Sequence, residues 1–243
     1  MALYALSDLH LALSVDKPMD VFGSSWSDYM ERIRCNWHDI VAPDDLVIVG
    51  GDISWATYLD ELTEDFLFLD SLPGKKLLIK GNHDYWWESV TKMRKYTQIN
   101  GFDSISFLHN DAFVYNGFSV AGTRGWLLPD SDGFGSEDRK IYERELIRLR
   151  LSLDAAAKLE EKNPQNAGCR VAVFHYPPVD ITSGRPDEHV LAILREYGVK
   201  KCVYGHIHGP KLKDAFCGMA DGIEFVCASA DYLNFTPYKI DWS

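Results

Sequence analysis

KKLLIKGNHDYWW, residues 75–87, joins an apolar run to a cluster of polar side chains. The apolar part is short and continuous, as in a buried β-strand. GNHD at 81–84 then places an amide, an imidazole and a carboxylate side by side where the strand would end. A turn accounts for Gly81 and Asn82, because glycine and asparagine tolerate turn conformations. It does not account for His83 and Asp84, so their explanation lies in the residues that end the other strands.

Similar apolar runs recur along the 243-residue chain and alternate with helical patterns. Because the runs are continuously apolar, they predict strands buried on both faces in a sheet covered by helices, and hence an α/β layered fold. The predicted strands are LYALSD from residue 3, DLVIVGGD at 45–52, KKLLIKGN at 75–82, RVAVFH at 170–175, KKCVYGH at 200–206 and IEFVCAS at 223–229. The predicted helices cover roughly 25–41, 61–71, 85–98, 137–161 and 187–197.

The middle of the chain departs from this alternation. FVYNGFSVAGTRGW at 113–126 contains the pair Asn116–Gly117, which favours a tight hairpin turn between antiparallel strands. LLPDSDGFGSEDRK at 127–140 is rich in glycine, aspartate and serine and predicts a loop. We therefore predict a single domain over residues 1–243, with a lid loop near 124–140 as a hypothesis.

Composition limits the function classes. The formal net charge is −11, and such an acidic chain repels nucleic acid, whose binding depends on lysine and arginine. The N-terminus has no basic region, and no apolar run approaches the roughly 18 residues of a membrane span. The five cysteines form no C-x-x-C pair, which favours reduced thiols. We expect a cytoplasmic protein without a membrane span, and nucleic acid is an unlikely partner.

Polar residues follow the predicted strands at the same end. In open α/β sheets the functional site lies outside the carboxyl ends of the strands, so these side chains are expected to converge. Each residue alone has an ordinary explanation, such as a helix cap for Asp52 or a hydrogen-bonded imidazole for His175. Five segments that each supply such residues instead predict a metal site. The residues are Asp8, His10, Asp52, Asn82, His83, Asp84, His175, His206 and His208.

The donor types indicate which metal ions would bind and which reaction they would support. Carboxylates and imidazoles without a thiolate suit Mn, Fe, Zn or Co as divalent ions. The set is large enough for two metal ions that share a bridging carboxylate. Two-metal sites place the ions roughly 3.5–4 Å apart and stabilise the attacking and leaving oxygens of a phosphoryl displacement.

The ordered set DLH (8–10), GD (51–52), GNHD (81–84), His175 and GHIH (205–208) resembles the calcineurin-like metallophosphoesterase family. The match extends over nearly the whole chain. The resemblance implies a double β-sandwich of mixed sheets flanked by helices, a four-layer α/β arrangement. It also implies a dinuclear metal site at the C-terminal strand ends and phosphoester hydrolysis by metal-activated hydroxide.

The resemblance also implies a role for each residue. One metal would be held by Asp8, His10 and His208, and the second by Asn82, His175 and His206, with Asp52 bridging both. His83 would lie near the leaving group and protonate it. Asp84 would orient the imidazole of His83.

Departures from the family patterns narrow the substrate class. Ser54, Trp55 and Ala56 stand where protein phosphatases of the family have a phosphate-binding arginine, which disfavours that class. The chain is more similar to bacterial-type small phosphohydrolases that act on phosphomonoesters or phosphodiesters of small molecules.

Alternatives remain within and outside this class. A cyclic-nucleotide phosphodiesterase and a UDP-diacylglucosamine-type pyrophosphatase are both alternatives, although Trp55 weakens the second. A non-catalytic metal-binding scaffold is disfavoured, because every ligand position is filled. The phosphate of a small substrate could be contacted by Arg124, Arg139 and Arg185. The metal pair, mono- or diester preference and oligomeric state stay open.

Overall fold

The structure is a computed structural model that describes residues 1–17, 19, 23–162, 168–181 and 183–241. The chain forms two compact units. The first unit comprises Met1–Phe107 and Ala228–Asp241, and the second comprises Leu108–Cys227. Each unit contains one mixed sheet with helices against it, which confirms the predicted mixed α/β fold. That residues 1–243 act as one domain stays a prediction.

The elements alternate along the chain much as the apolar pattern predicts. The strands are β1 (Leu3–Ala5), β2 (Leu46–Val49), β3 (Lys75–Leu78), β4 (Ile105–Phe107), β5 (Ala112–Tyr115), β6 (Phe118–Thr123), β7 (Cys169–Phe174), β8 (Val179–Asp180), β9 (Arg185–Pro186), β10 (Lys201–Tyr204), β11 (Gly218–Ala220), β12 (Ile223–Cys227) and β13 (Tyr238–Ile240). The helices are α1 (Tyr29–Ile40), α2 (Thr63–Ser71), α3 (Val90–Asn100), α4 (Ser136–Lys162) and α5 (Glu188–Glu196).

The first unit is built on a five-stranded sheet of order β13-β1-β2-β3-β4. Strands β1 to β4 are parallel, and β13 pairs antiparallel with β1 at the edge. Trp37 of α1 and Phe66 of α2 pack into the same core as Val47 and Val49 of β2. Because parallel strands end at the same edge, the loops after β1, β2 and β3 are brought together.

Two helices of this unit begin later than the sequence pattern predicts. Residues Ser24–Trp26 form a 3₁₀ turn ahead of α1. Helix α3 begins at Val90, where the Ser89 hydroxyl accepts the Lys92 N–H as an N-cap. The residues after GNHD thus belong to the loop that carries the polar cluster and not to the helix.

The second unit is built on a six-stranded sheet of order β11-β12-β10-β7-β6-β5. The four central strands are parallel neighbours, and β5 and β11 are antiparallel edges. Asn116 and Gly117 connect β5 to β6 with φ values of 44° and 81°, which confirms the predicted hairpin. Leu153 of α4 and Leu194 of α5 are buried with Phe225 of the sheet.

The predicted loop at 127–140 overlaps the start of α4. Helix α4 begins at Ser136, so the last part of the segment is helical. The Asp138 carboxylate accepts the Gly135 N–H at 3.0 Å and the Trp126 indole N–H at 3.0 Å. These bonds fix one end of the loop, and its role as a lid stays a prediction.

No helix in the described part of the chain combines the length and apolarity needed to cross a membrane.

Candidate active site

In the first unit, the loops after β1 and β2 run side by side and bring three predicted ligands together. The Asp8 N–H donates to the Gly51 carbonyl at 2.9 Å, and the His10 N–H donates to the Asp52 carbonyl at 3.0 Å. The His10 Nε2 atom lies 3.8 Å from the Asp52 Oδ2 atom. Asp8 and Asp52 are 0% and 2% exposed. Carboxylates this deeply buried require compensation by hydrogen bonds or a cation.

Four of the predicted metal ligands have left-handed backbone conformations. The φ angles are 62° at Asp8, 46° at His10, 51° at Asp52 and 72° at His206. Such values are uncommon for residues other than glycine and cost about 1–3 kcal/mol each. They persist where the surrounding structure imposes them, and they cluster at functional sites. This strain supports a functional role for these strand ends.

Asp84 connects the loop after β3 to the loop after β2. Its buried carboxylate accepts N–H groups from both loops: from Gly81 at 2.7 Å, Asp52 at 2.9 Å, Ile53 at 2.9 Å, Ser54 at 3.4 Å and the Trp86 indole at 3.1 Å. The carboxylate therefore holds the main chain of Asp52 in place. The sequence assigned Asp84 a different task, to orient His83, and that task stays a prediction.

Gly81 is required by the close approach of Asp52. A Cβ atom at position 81 would lie 2.1 Å from the Asp52 Oδ1 atom and 2.2 Å from its main-chain nitrogen. The same Oδ1 atom accepts the His83 N–H at 2.8 Å. The glycine thus provides space beside the proposed bridging carboxylate.

Aromatic rings surround His10 and His83. The Trp55 ring stacks on His10 with centroids 4.8 Å apart and an interplanar angle of 25°, and it lies 4.5 Å from His83. The Trp26 and His10 rings form a T-shaped pair with centroids 5.9 Å apart. Sequence reasoning noted Trp55 only as a departure from family patterns, because its contact with both histidines depends on tertiary placement.

Ser229 is a further polar residue that sequence reasoning missed. Its hydroxyl donates to the Asp8 Oδ2 atom at 3.0 Å. A signal existed, because Ser229 closes the predicted strand IEFVCAS in the way that the polar residues close the other strands. The hydroxyl fixes the orientation of the Asp8 carboxylate.

The second unit brings His175 and His206 together. Their ring centroids are 5.0 Å apart, and the Gly205 N–H donates to the His175 carbonyl at 3.1 Å. Tyr176 packs on His206 at 4.2 Å. His208 follows with an extended backbone, at φ −134° and ψ 158°. This unit thus supplies imidazoles at the ends of β7 and β10.

The predicted arginines occupy different surroundings in the second unit. The Arg124 carbonyl accepts the His175 N–H at 3.1 Å, and its guanidinium lies 4.5 Å from the Trp126 ring. Burial lowers the pKa of the Arg124 guanidinium. Arg139 is exposed near Phe134, and Arg185 lines a cleft of about 440 Å³. Arg124 is the one with a contact to a predicted ligand in the described residues.

The donor set in each unit fits a borderline divalent metal. Buried carboxylates and imidazoles meet at 3.8 Å in the first unit, and two imidazoles pack together in the second. Oxygen and nitrogen donors without a thiolate are the ligands of Mn, Fe, Zn and Co sites.

Comparisons with known proteins agree with this chemistry. A family model described as calcineurin-like phosphoesterase matches residues 1–210. No curated protein matches the chain significantly.

Solved structures share the fold at low sequence identity. A phosphopantetheinyl hydrolase from Mycobacterium tuberculosis is 16% identical, with a TM-score of 0.54 over 98% of this chain and 95% of that chain. A protein of unknown function from Aquifex aeolicus is 17% identical, with a TM-score of 0.52 over 98% and 95%. A protein from Thermus thermophilus is 13% identical, with a TM-score of 0.54 over 99% and 98%.

Proposed function

The chain belongs to the calcineurin-like phosphoesterase family, and on that premise we propose that it hydrolyses phosphomonoester or phosphodiester bonds of a small-molecule substrate. Family membership makes it a metal-dependent phosphohydrolase. The non-catalytic scaffold that the sequence left as an alternative would keep the same fold, and the presence of every predicted metal ligand in the sequence disfavours it.

The proposed dinuclear centre draws on both sets of ligands. Asp8, His10 and His208 would hold one metal ion, Asn82, His175 and His206 would hold the other, and the Asp52 carboxylate would be shared between them. When bound, the ions supply Lewis-acid activation of water and neutralise charge on the phosphoryl group. The observation that carries this proposal is the meeting of the buried Asp52 carboxylate with His10 at 3.8 Å, where the parallel strands end.

The residues of this chain have complementary tasks in the proposed reaction. His83 gives a proton from its ring to the leaving oxygen, as a general acid does. Its main-chain N–H binds the Asp52 carboxylate, which supports a fixed position for the imidazole. Asp84 holds both loops through its main-chain hydrogen bonds. A network of this kind limits motion of the reacting groups and so favours a productive geometry.

The substrate is a small phosphorylated molecule in this proposal, and the cytoplasm is the proposed location. Free thiols at the five cysteines support a reducing compartment. A cyclic nucleotide and a UDP-linked pyrophosphate are alternative substrates. As the sequence already indicates, Trp55 disfavours the UDP-linked pyrophosphate. A phosphopantetheine ester joins the substrates to be screened, because a protein of similar fold has the name phosphopantetheinyl hydrolase.

A substrate screen with added Mn²⁺, Fe²⁺, Zn²⁺ or Co²⁺ tests the proposal. p-Nitrophenyl phosphate and its bis-ester report mono- and diesterase activity, and nucleotides, cyclic nucleotides, sugar phosphates and pyrophosphates report the substrate class. We expect metal-dependent turnover that the Asp52→Ala variant lacks. Absence of turnover with every metal and ester would contradict the proposed function.

A further inference from the structure

An exposed aromatic ring extends the cluster of rings around His83. Tyr85 is 64% exposed, and its ring centroid lies 6.3 Å from that of His83 at an interplanar angle of 83°. The Tyr85 N–H donates to the His83 carbonyl at 2.8 Å, so a tight turn fixes the two residues relative to each other. A large apolar ring is thus held at the surface directly beside His83.

The ammonium group of Lys17 lies against Trp55, the other aromatic neighbour of His83. Trp55 lies 4.5 Å from His83, and the Lys17 Nζ atom lies 3.5 Å from the centroid of the Trp55 ring. A cation–π contact of this kind holds an exposed ammonium in place. The Trp55 indole N–H also donates to the Met19 sulfur at 3.3 Å, which fixes the indole. A positioned positive charge therefore lies against the indole that neighbours this imidazole, in a chain with net charge −11.

We propose that Tyr85, Trp55 and Lys17 form a leaving-group subsite, and that the enzyme prefers phosphoesters whose leaving group carries a planar ring and a negative charge. This inference rests on the proposed function, because His83 is placed at the leaving group by that function. A leaving group whose oxygen reaches the His83 ring comes close to Trp55 and Tyr85, whose rings lie 4.5 Å and 6.3 Å from that of His83.

The chemistry of the subsite selects the ligand class. The face of an aromatic ring favours offset or edge contacts with another planar ring over contacts with a short alkyl chain. The Lys17 ammonium attracts an anionic substituent, and this attraction weakens with salt because the lysine is exposed. A ring that bears a carboxylate or phosphate satisfies both requirements.

The ring requirement is tested with two phosphomonoesters that differ in the leaving group, phenyl phosphate and ethyl phosphate, by release of inorganic phosphate. If the enzyme is a diesterase, the corresponding methyl diesters are used and release of phenol or ethanol is measured. We expect Tyr85→Ala to raise KM for the phenyl ester about 5-fold and to change KM for the ethyl ester less than about 2-fold. Tyr85→Phe keeps the ring and the preference. Tyr58→Ala is the matched control, because Tyr58 is 65% exposed.

The charge requirement is tested with 4-carboxyphenyl phosphate against phenyl phosphate. We expect Lys17→Met to raise KM for the carboxylated ester about 3-fold to 5-fold, and we expect this effect to vanish near 1 M salt. Lys158→Met, at an exposed position of α4, serves as the control.

The outcomes separate this inference from the function on which it rests. Wild-type turnover with equal effects of Tyr85→Ala on both esters, or of Lys17→Met on both aryl esters, overturns the subsite and leaves the phosphohydrolase intact. If the wild type cleaves none of these esters but turns over another substrate of the screen, the subsite is overturned and the phosphohydrolase stands. If it cleaves no substrate with any metal, the proposed function fails and the subsite fails with it.

Discussion

At the scale of single residues, the Asp84 carboxylate organises the loops that carry the proposed bridging ligand. It accepts N–H groups from Gly81 and from Asp52, so it connects two strand ends that lie far apart in the sequence. No water reaches this carboxylate to replace a lost partner, because Asp84 is fully buried. A change at Asp84 therefore acts on both stability and metal binding.

The Asp84→Asn variant tests this role. An amide keeps one acceptor oxygen and turns its NH₂ group towards N–H donors, so buried donors lose their partners. We expect the free energy of unfolding to fall by about 2–4 kcal/mol in urea denaturation and Mn²⁺ binding to weaken. Asp44→Asn, at an exposed position, is the control. Unchanged stability of Asp84→Asn would show that these hydrogen bonds do not support the loops.

His83 is expected to act in proton transfer without holding a metal. The His83→Ala variant should keep its metal content and lose about 10²–10⁴-fold in kcat on esters with poor leaving groups. The loss should be much smaller on p-nitrophenyl esters, whose leaving group needs little protonation. Metal analysis and kcat over a series of leaving groups provide the measurement. Intact turnover of a poor leaving group by His83→Ala would exclude this role.

The sequence predicted the polar site residues that directly follow the strands, but not the residues that surround them. Asp8, Asp52 and the GNHD residues stand directly after apolar runs, so their convergence follows from a parallel sheet. Ser229 also closes a predicted strand, but its contact with Asp8 and the position of Tyr85 depend on tertiary neighbours. Nothing in the residues next to Tyr85 along the chain predicts that its ring stays exposed beside His83.

At the scale of elements, the site depends on how closely the loops after β2 and β3 approach. Position 81 allows no side chain, because a Cβ atom there would overlap Asp52. The left-handed residues Asp8, His10 and Asp52 turn the chain sharply after β1 and β2. Short strands with tight turns thus position the ligands, and extra bulk in either loop has to displace them.

The Gly81→Ala variant tests this packing. The added methyl group has to push the Asp52 carboxylate and main chain away, so we expect a loss of about 3 kcal/mol or more in the free energy of unfolding and loss of metal binding. Gly135→Ala is the control, because a Cβ atom there would lie 3.7 Å from its nearest neighbour, Asp138. A Gly81→Ala protein with native stability and metal content would contradict the close approach.

Elements with a strong local sequence signal were predictable. Strands that form because a neighbouring strand pairs with them were not. The hairpin between β5 and β6 follows from Asn116–Gly117, whose positive φ angles suit the turn. The edge strands β4 and β13 have three residues each and too little pattern to be found. They are strands because β3 and β1 offer free hydrogen-bonding groups. Residues 85–89 were predicted as the start of a helix, but they belong to the loop before α3.

At the scale of the whole molecule, a buried lysine links stability to pH. Lys76 in β3 is 0% exposed, and burial lowers its pKa from 10.5 to about 8. Its ammonium donates to the Leu72 carbonyl and to the Ser104 hydroxyl. Between pH 8 and 10.5 the unfolded state binds the proton that the native state has lost. The contribution of Lys76 therefore makes the protein more stable as pH rises through this window.

Denaturation of wild type and Lys76→Met at several pH values measures this linkage. We expect the wild type to gain about 3 kcal/mol relative to the variant between pH 8 and 10.5. Below about pH 8 the difference between the two proteins should be constant. Lys75→Met, at the exposed start of β3, should follow the wild-type profile. Parallel profiles for wild type and Lys76→Met would show that Lys76 titrates normally in the native state.

The family assignment rests on residues of both units, since the matched residues 1–210 contain most of each. The order of the short polar segments, more than any one of them, made the family recognisable from the sequence. The substrate was not predictable in the same way, because it depends on side chains such as Trp55 and Tyr85 that lie between and beyond these segments.

Metal stoichiometry is the most direct test of the dinuclear centre. The purified chain is saturated with Mn²⁺ and freed of excess metal, and the metal per chain is measured by elemental analysis, with calorimetric titration for affinity. We expect two ions per wild-type chain and at most one per Asp52→Ala chain, because the variant lacks the carboxylate proposed to bridge the ions. One ion or none in the wild type, or two ions with unchanged affinity in Asp52→Ala, would contradict the proposed dinuclear centre.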